Sequence, residues 1–350
     1  MQVSLMGNVK VFEHYEKLPS TFQDLEIYVR DFGVSKKICI KGDHVVPGGS
    51  YHCSYSEFEA QLSLQTLSKI ALRKGRFFRD EVERSENPNY LKRKIEILLR
   101  EFGISLSDKK MLDFGCGAGA STLIFLRCGA TDVTGVEVDE TLLDISSSRL
   151  KDFFQRDYRL VKIDYIDGRY RLPFSDGEFD IVWAQAIMEH VLPDQRRFVL
   201  ADLWRVLKEN GLLVIMGTPN RLWIKEFHTS NLFLVNYLPL GLATWVARHC
   251  SRRVPVDQSQ EALLSDGFRG CTYWEIASAL GKGLCLNKIF RKKDLMVGIQ
   301  SWSEDSNSIF RKRLIKLYGF LMGLVDPILD LFDLPQSAFL PSHILVFRKS

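Results

Sequence analysis

Met111-Leu112-Asp113-Phe114-Gly115-Cys116-Gly117-Ala118-Gly119-Ala120-Ser121-Thr122 is the segment from which the fold of this 350-residue chain can be predicted. Its apolar start ends in Asp113, which is typical of a buried strand with a carboxylate at its carboxyl end. Glycines follow at alternate positions, and a helical run then continues to Gly129. Glycine accepts positive φ and lets a ligand approach the main chain without meeting a Cβ. The segment therefore predicts a strand, a glycine turn and a helix N-terminus that hold a small ligand.

The order acid-x-Gly-x-Gly-x-Gly resembles the first motif of the class I S-adenosylmethionine (SAM)-dependent methyltransferases. The resemblance implies that Asp113, Gly115, Gly117 and Gly119 bind SAM. A dinucleotide-binding fold is the rival interpretation, because Gly115-x-Gly117-x-x-Ala120 also fits the fingerprint Gly-x-Gly-x-x-Gly/Ala. A glycine turn that binds no ligand is the third.

A second acid stands at the end of the next predicted strand, residues 131–138. Glu137 follows Asp113 by 24 residues, the interval at which a βαβ unit places an acid beside the ribose of a bound nucleoside. A carboxylate can accept both ribose hydroxyl protons, and each hydrogen bond to a charged group contributes about 1.5–3 kcal/mol. Glu137 is therefore predicted to bind the ribose, and Asp139 to cap the helix that follows.

Later segments resemble the same family in the same order. Asp167 and Gly168 match the place where the family puts an acid near the adenine amino group, with Asp164 as the fallback. Gln185, directly after the fourth predicted strand, is also assigned to the cofactor. A Leu-Pro-Phe turn, a Phe-Asp pair and an Arg-Val-Leu-Lys segment complete the pattern: Leu172–Phe174, Phe179–Asp180 and Arg205–Lys208. A dinucleotide dehydrogenase does not explain these segments, so residues 91–220 favour the methyltransferase.

The resemblance implies an α/β fold with a Rossmann-like, seven-stranded, mostly parallel sheet, flanking helices and an antiparallel last strand. Residues 1–85 are predicted to form an N-terminal extension, with a helix from Ser56 to Arg73 and a solvated linker from Arg79 to Asn87. The methyltransferase domain is predicted to span residues 86–350. Within it, residues 221–270 are long for a strand-to-helix connection, which indicates an insertion on the substrate side of the sheet.

Composition narrows the function classes. The chain is 46% hydrophobic and 26% charged, as is ordinary for a globular protein, and its net charge of +4 gives no reason to expect a nucleic-acid partner. The seven cysteines are scattered without a Cys-x-x-Cys pair, which fits a reducing compartment and predicts neither a disulfide framework nor a metal site. The N-terminus is too short and polar for a signal peptide and no long apolar run follows, so a cytoplasmic location is expected.

His190 and His228 are the candidate catalytic residues. Methyl transfer to a hydroxyl or an acidic carbon needs a general base, a role that neutral histidine can fill. His190 follows the fourth strand, at the rim where the methyl group should emerge, and His228 lies on the insertion. The alternatives are a packing or capping role for His190 and a surface-loop position for His228.

The predicted reaction moves a methyl group from SAM to a small-molecule, glycan or lipid-linked acceptor. The alternative is a non-catalytic SAM- or nucleotide-binding module whose insertion binds a partner. Basic-plus-apolar segments at residues 232–253 and 311–332 leave peripheral membrane contact open. Asp326, Asp330 and Asp333 interrupt the second segment, so packing of that helix against the sheet is the favoured interpretation.

Overall fold

The structure is a computed structural model that describes residues 14–47, 52–154, 158–166, 169–281, 283–304 and 308–350. The chain divides into two compact units. Unit 1 takes residues 1–93, 117–124 and 139–158, and unit 2 takes residues 94–116, 125–138 and 159–350. The domain limits predicted from the sequence stay predictions.

Among the described residues, four strands precede the first helix, and strands and helices are interspersed through the rest of the chain. The strands are Glu16–Leu18 (β1), Glu26–Asp31 (β2), Lys36–Val45 (β3), His52–Ala60 (β4), Lys110–Phe114 (β5), Asp132–Glu137 (β6), Arg159–Lys162 (β7), Tyr165–Ile166 (β8), Arg169–Tyr170 (β9), Phe179–Gln185 (β10), Leu207–Pro219 (β11), Lys225–Glu226 (β12), Leu232–Phe233 (β13), Leu284–Cys285 (β14) and Ser342–Arg348 (β15). The α-helices are Leu64–Lys74 (α1), Phe78–Glu86 (α2), Arg93–Phe102 (α3), Ala120–Arg127 (α4), Glu140–Phe153 (α5), Arg196–Val206 (α6), Leu240–Cys250 (α7), Gln260–Ser265 (α8), Tyr273–Ala279 (α9), Leu286–Ile289 (α10), Arg291–Glu304 (α11) and Ile309–Leu331 (α12).

Unit 1 contains a four-stranded antiparallel sheet in the order β1-β2-β3-β4, with α1, α2 and α5 among its helices. The predicted helix from Ser56 is wrong, because residues 52–60 pair with β3 as strand β4. The helix begins later, where the Ser63 hydroxyl accepts a hydrogen bond from the Thr66 amide at 3.2 Å. Pairing with the preceding strand β3 thus decided the structure of these residues, since strand preference depends strongly on the neighbouring strand.

The predicted linker at residues 79–87 is also wrong, because most of it belongs to helix α2. Its charged residues are paired: Glu81 lies 2.9 Å from Arg149 and Asp80 lies 2.7 Å from Arg84. Phe78 and Val82 are fully buried in the apolar core of unit 1. A charged sequence can therefore form a buried helix when its ions find partners, some of them distant along the chain.

Unit 2 contains a seven-stranded sheet in the order β14-β15-β11-β10-β5-β6-β7. The five strands from β11 to β7 are parallel, whereas β15 runs antiparallel to both β11 and β14. The predicted fold class is therefore confirmed. Strands β5, β6, β10 and β11 end at the same edge of the sheet, where open α/β sheets bind their ligands.

The edge strand β14 is short: its two residues pair with β15, and α10 begins at Leu286. The Asn287 side chain takes over the pairing, since it donates to the Ile344 carbonyl and accepts from the Val346 amide, each at 2.7 Å. A side-chain amide thus replaces a backbone group beside β15.

The predicted insertion, residues 221–270, leaves and rejoins the sheet at one place. The Cys271 amide donates to the Pro219 carbonyl at 3.1 Å, and the Arg221 amide donates to the Cys271 carbonyl at 2.9 Å. Between these ends lie β12, β13, α7 and α8, with a small apolar core of their own: Val235, Ala243, Ala247, Val254, Leu263 and Phe268. Among the described helices of the whole chain, none has the length and apolar character needed to span a membrane.

Candidate active site

Strand β5 passes into the glycine turn that the sequence predicts. The amides of Gly115 and Cys116 both donate to the Val136 carbonyl at 2.9 Å, which fixes the start of the turn to β6. Gly115, Gly117 and Gly119 have φ values of +71°, +53° and +81°. Residues with a Cβ rarely adopt this left-handed region, so the turn needs glycine at these positions.

The three glycines nevertheless differ in what surrounds them. A Cβ on Gly115 would lie 2.2 Å from the Ile187 Cδ1, and a Cβ on Gly119 would lie 2.4 Å from the Ser146 Oγ. A Cβ on Gly117 would have no heavy atom within 4 Å among the residues that the structure describes. Packing therefore requires glycine at 115 and 119, while Gly117 opens onto space in which a ligand can approach the main chain.

The predicted acids take their expected places on the strands. Asp113 is completely buried in β5, and Glu137, only 8% exposed, is the last residue of β6. A Glu137 carboxylate oxygen accepts a hydrogen bond from the Val138 amide at 2.7 Å. The carboxylate is thereby held at the carboxyl end of β6, where a side chain that binds the ribose of a nucleoside must lie.

The structure describes only some of the other residues that are predicted to bind the cofactor. Gln185 ends β10, and its Oε1 accepts a hydrogen bond from the buried Trp183 indole at 3.3 Å. Asp167 and Gly168 lie outside the described residues. Cys116, between two of the glycines, is buried; burial raises the pKa of its thiol well above the ordinary value, so the thiol stays protonated and is a poor nucleophile. Sequence reasoning missed this contact, by which Trp183 orients the Gln185 side chain.

The structure brings the two predicted catalytic histidines together. His190 lies in the turn after β10, His228 lies in the loop between β12 and β13, and their ring centroids are 5.4 Å apart. The His190 Nδ1 lies 2.8 Å from the Ser265 carbonyl oxygen. Because a carbonyl can only accept, this Nδ1 carries the proton and the lone pair of the neutral ring is on Nε2.

A buried acid shapes the loop that carries His228. The Glu226 carboxylate accepts hydrogen bonds from the amides of His228, Thr229 and Ser230, and from the Ser230 hydroxyl. Glu226 is 3% exposed, so these bonds are shielded from water. Glu226 lies two positions before His228 in the sequence, but only the structure shows that its carboxylate holds this turn in shape.

Thr229 fixes the tautomer of His228. Its hydroxyl donates to the Asp266 carbonyl at 3.0 Å and lies 3.2 Å from the His228 Nδ1. Since the hydroxyl proton is already used, the hydroxyl accepts from Nδ1–H, and the lone pair of the neutral His228 ring is also on Nε2. Both histidines can therefore accept a proton, or bind a cation, through Nε2.

A second buried acid, which no motif in the sequence indicated, adjoins the histidines. Glu189 is completely buried, and its Oε2 accepts a hydrogen bond from the Thr218 hydroxyl at 2.9 Å. Glu189, His190 and His228 each offer a ligand atom within 4.8 Å of the other two. Glu189 directly precedes His190 in the sequence, but no local pattern there indicates that His228 joins them.

Comparison with known proteins gives a consistent picture. A family model described as a methyltransferase domain matches residues 112–215. The ubiquinone biosynthesis O-methyltransferase of Bradyrhizobium sp. (strain ORS 278) is 36% identical over 167 residues, which cover 46% of this chain and 58% of that protein. An O-methyltransferase of Aspergillus nomiae is 29% identical over 156 residues, covering 42% of this chain and 66% of that protein. The chain thus spans just over half the length of the bacterial relative.

The solved structures are more distant. A putative sarcosine dimethylglycine methyltransferase from Galdieria sulphuraria aligns with 74% of this chain and 86% of its own, at 14% identity and a TM-score of 0.41. A likeness of that extent supports no functional assignment. The matched residues of the family model instead contain the acid, the glycine turn and the second acid, on the strand order of the seven-stranded sheet. Residues 112–215 therefore form a domain of the class I SAM-dependent methyltransferase family.

Proposed function

We propose that the protein transfers a methyl group from SAM to an oxygen atom of a small-molecule acceptor. The observation that supports this most is the open space at Gly117, in a turn that follows Asp113 and precedes a strand ending in Glu137. An acid, a glycine turn and a second acid at these strand ends suit a nucleoside with a positively charged side chain.

Each residue of the cofactor site then has a role. Glu137 accepts the ribose hydroxyl protons, and the main chain at Gly117 contacts the ligand directly. Gly115 and Gly119 keep the turn in shape, and Gln185, held by Trp183, borders the site at the end of β10. Asp113 places a buried carboxyl group near the end of β5, and Asp167 with Gly168 is assigned to the adenine from the sequence pattern alone.

The chemistry divides between cofactor and chain. Bound SAM supplies a methyl group on a positively charged sulfur, which needs little further activation. The chain orients the acceptor, and orientation of this kind is equivalent to a concentration of about 10⁵–10⁸ M. The Nε2 atoms of His190 and His228 are available to take the proton from an acceptor hydroxyl. The curated relatives are named O-methyltransferases, which favours oxygen over nitrogen or carbon.

Calorimetric titration of the full chain with SAM, its demethylated product and NAD tests the cofactor assignment. We expect SAM and its product to bind and NAD not to bind. Glu137→Ala should weaken SAM binding at least about tenfold, since hydrogen bonds to a charged group are lost. Asp132→Ala is the matched control, because Asp132 is an exposed acid at the opposite end of the same strand. Tight NAD binding, or equal losses in the two variants, would refute the assignment.

Turnover separates the enzyme from a non-catalytic binding module. His228→Gln should leave SAM affinity nearly unchanged, because the residue lies on the insertion and outside the glycine turn. It should lower the rate of demethylated product formation on a panel of phenolic acceptors by about 10²–10⁴-fold, the usual contribution of general base catalysis. SAM binding without turnover on any acceptor by the unaltered chain would favour the binding-module alternative.

We further propose that the acceptor is lipid-linked and that α12 binds an anionic membrane surface. Of the residues of this helix, Ile315, Gly319 and Met322 are buried, whereas Phe310 is 70% and Leu331 is 81% exposed. Burial on α12 is thus limited to one narrow face, where Gly319 lies against Ile299 of α11. The exposed apolar side chains of α12 form a broad surface: Ile309, Phe310, Leu314, Leu317, Phe320, Leu321, Leu324, Val325, Ile328 and Leu331. Apolar patches of this kind mark partner or membrane contacts.

The charges beside this surface favour anionic lipid as the occupant. Burial, together with the nearby charges of Arg253 and Arg311, lowers the pKa of Lys225, so cations from the insertion and from α12 are close together. The acids that argued against membrane contact have cationic partners: Asp326 lies 2.7 Å from Arg291, and Asp333 is paired with Lys288. Each basic residue near an anionic surface contributes about 1 kcal/mol to binding.

Co-sedimentation with vesicles tests this surface. The full chain should bind phosphatidylcholine vesicles that contain phosphatidylserine and should dissociate as salt rises, because salt screens charge attraction. Phe320→Glu should abolish binding, while Phe32→Glu, which alters a similarly exposed phenylalanine in unit 1, should not. Binding that survives Phe320→Glu would contradict the proposal, as would a salt-independent dimer that hides this face.

A further inference from the structure

We propose that Glu189, His190 and His228 bind one divalent transition-metal cation, such as Zn²⁺, at the carboxyl end of β10. One atom of each side chain lies within 4.8 Å of the others. Two imidazoles and one carboxylate form a ligand set typical of catalytic zinc and related metals, with further coordination positions open. No cysteine and no Cys-x-x-Cys spacing is involved, which is why the sequence analysis predicted no metal.

The state of the Glu189 carboxylate points to a cation. The side chain is completely buried, and its Oε2 accepts the Thr218 hydroxyl. Its Oε1 is also buried and has no hydrogen-bond partner among the residues that the structure describes. A buried carboxylate oxygen without a partner is costly, because the lost hydration is not replaced. A metal ion bound at this oxygen would compensate for that loss.

Both histidines are already oriented as metal ligands. A ligating histidine usually donates its second ring N–H to a carbonyl, carboxylate or water, which fixes the ring and leaves the other nitrogen for the metal. His190 does this to the Ser265 carbonyl at 2.8 Å, and His228 to the Thr229 hydroxyl at 3.2 Å. In each case Nε2 keeps the lone pair. The tautomer required for metal binding is therefore set by hydrogen bonds that the structure contains.

The last residue of α8 and the turn after it hold the cluster together. The Ser265 carbonyl accepts a hydrogen bond from His190, and the Asp266 carbonyl accepts one from the Thr229 hydroxyl. A Cβ on Gly267, whose φ is +88°, would lie 2.6 Å from the His228 Cε1 and 3.2 Å from the Glu189 Cγ. Glycine at this position is what allows the ring and the carboxylate to approach each other.

The access and chemistry of the site fit the reaction. His190 and His228 are exposed while Glu189 is buried, so an ion bound here is open to solvent on one side. A dication at this point would stabilise the negative charge on an acceptor oxygen that has lost its proton to solvent. With the ion bound, the Nε2 atoms of His190 and His228 are ligands and no longer take that proton, so the ion replaces them in promoting deprotonation of the acceptor. This role rests on the proposed methyl transfer, whereas binding of the ion does not.

Cobalt serves as a visible probe of the binding site. The full-length chain, freed of metal by a chelator and dialysis, is titrated with Co²⁺ while its visible absorption is recorded. We expect one Co²⁺ per chain, displaced by Zn²⁺ but not by millimolar Mg²⁺, because Mg²⁺ prefers oxygen ligands and imidazoles select transition metals. Competition by Mg²⁺ as strong as that by Zn²⁺ would overturn the assignment.

Variants complete the test. Glu189→Gln and His228→Gln should each weaken Co²⁺ binding at least about tenfold, in line with loss of a ligand. His249→Gln is the matched control, because His249 is also on the insertion but stacks on Trp245. Among the described residues, its hydrogen bond is to the Trp245 carbonyl and not to a member of the cluster. Equal Co²⁺ affinity in all three variants would refute the site. SAM titration of the same samples checks their folding and reports separately on the proposed function.

Discussion

Replacement of Gly117 by alanine is the sharpest test of the cofactor site. A ligand atom in van der Waals contact with the Gly117 Cα lies about 3.5–4.0 Å away, and a Cβ would extend about 1.5 Å toward it. The remaining separation, about 2.0–2.5 Å, is too short for any non-bonded contact. The ligand must therefore shift, with loss of at least one main-chain hydrogen bond worth about 1 kcal/mol. We expect SAM affinity to fall about fivefold or more.

The same substitution also strains the backbone, and a control isolates that effect. Gly117 has φ +53°, and a left-handed conformation costs an L-residue about 1–2 kcal/mol. Gly103, after helix α3, has φ +66°, and an added Cβ there would likewise meet no atom within 4 Å in the described part of the chain. Gly103→Ala should therefore lose a similar amount of stability and keep its SAM affinity.

Two measurements on both variants decide the outcome. Urea unfolding should give similar losses of unfolding free energy for Gly117→Ala and Gly103→Ala, about 1–2 kcal/mol each. Calorimetric titration should show weakened SAM binding for Gly117→Ala alone. Unchanged SAM affinity in Gly117→Ala would refute the assignment of this turn to the cofactor. Equal weakening in both variants would show that strain, and not occupation of the ligand space, is responsible.

Two further predictions concern buried acids. Glu226→Ala should keep SAM affinity within about twofold but lower turnover at least about tenfold, because the turn that presents His228 loses its hydrogen bonds. An equal fall in SAM affinity would show that the insertion is structural. Burial would raise the pKa of Glu81, but the charges of Arg149, Lys74 and Arg84 lower it to about 2. This depressed carboxyl pKa stabilises the fold above about pH 4.5, and the stabilisation is lost as pH falls toward 2. Glu81→Gln should therefore lower the free energy of unfolding by about 3 kcal/mol at pH 7. In urea unfolding, the free energy of this variant should depend less on pH between 4.5 and 2 than that of the unaltered chain. A pH profile like that of the unaltered chain would contradict the pairing.

The outline of the fold could be predicted because its signals are local. The acid of β5, the glycines with positive φ and the acid of β6 are each fixed by the conformation of neighbouring residues. Asp139 shows the same dependence, since its carboxylate accepts from the Thr141 amide at 2.8 Å and caps α5 as predicted. Parallel strands ending at one edge then place these groups together without any further information.

The unit 1 elements were mispredicted because residues outside each segment decide them. Residues 52–60 became a strand through pairing with the preceding strand β3, and residues 78–86 became a helix whose Glu81 is paired with Arg149, 68 residues away. Neither partner lies within the segment whose structure it decides. The residues of the two segments therefore indicated a helix and a linker where the chain forms a strand and a helix.

The sequence by itself determined the order of the methyltransferase motifs, the parallel sheet and the glycine turn, because these depend on backbone conformations that a few adjacent residues impose. Only the tertiary structure decided that Glu189, His190 and His228 converge, since the two histidines are 38 positions apart in the sequence. That convergence depends on the turn at Ser265 to Gly267, which holds both rings through hydrogen bonds and a missing Cβ. Tertiary packing likewise decided which face of α12 is buried, because its sequence is apolar on several sides.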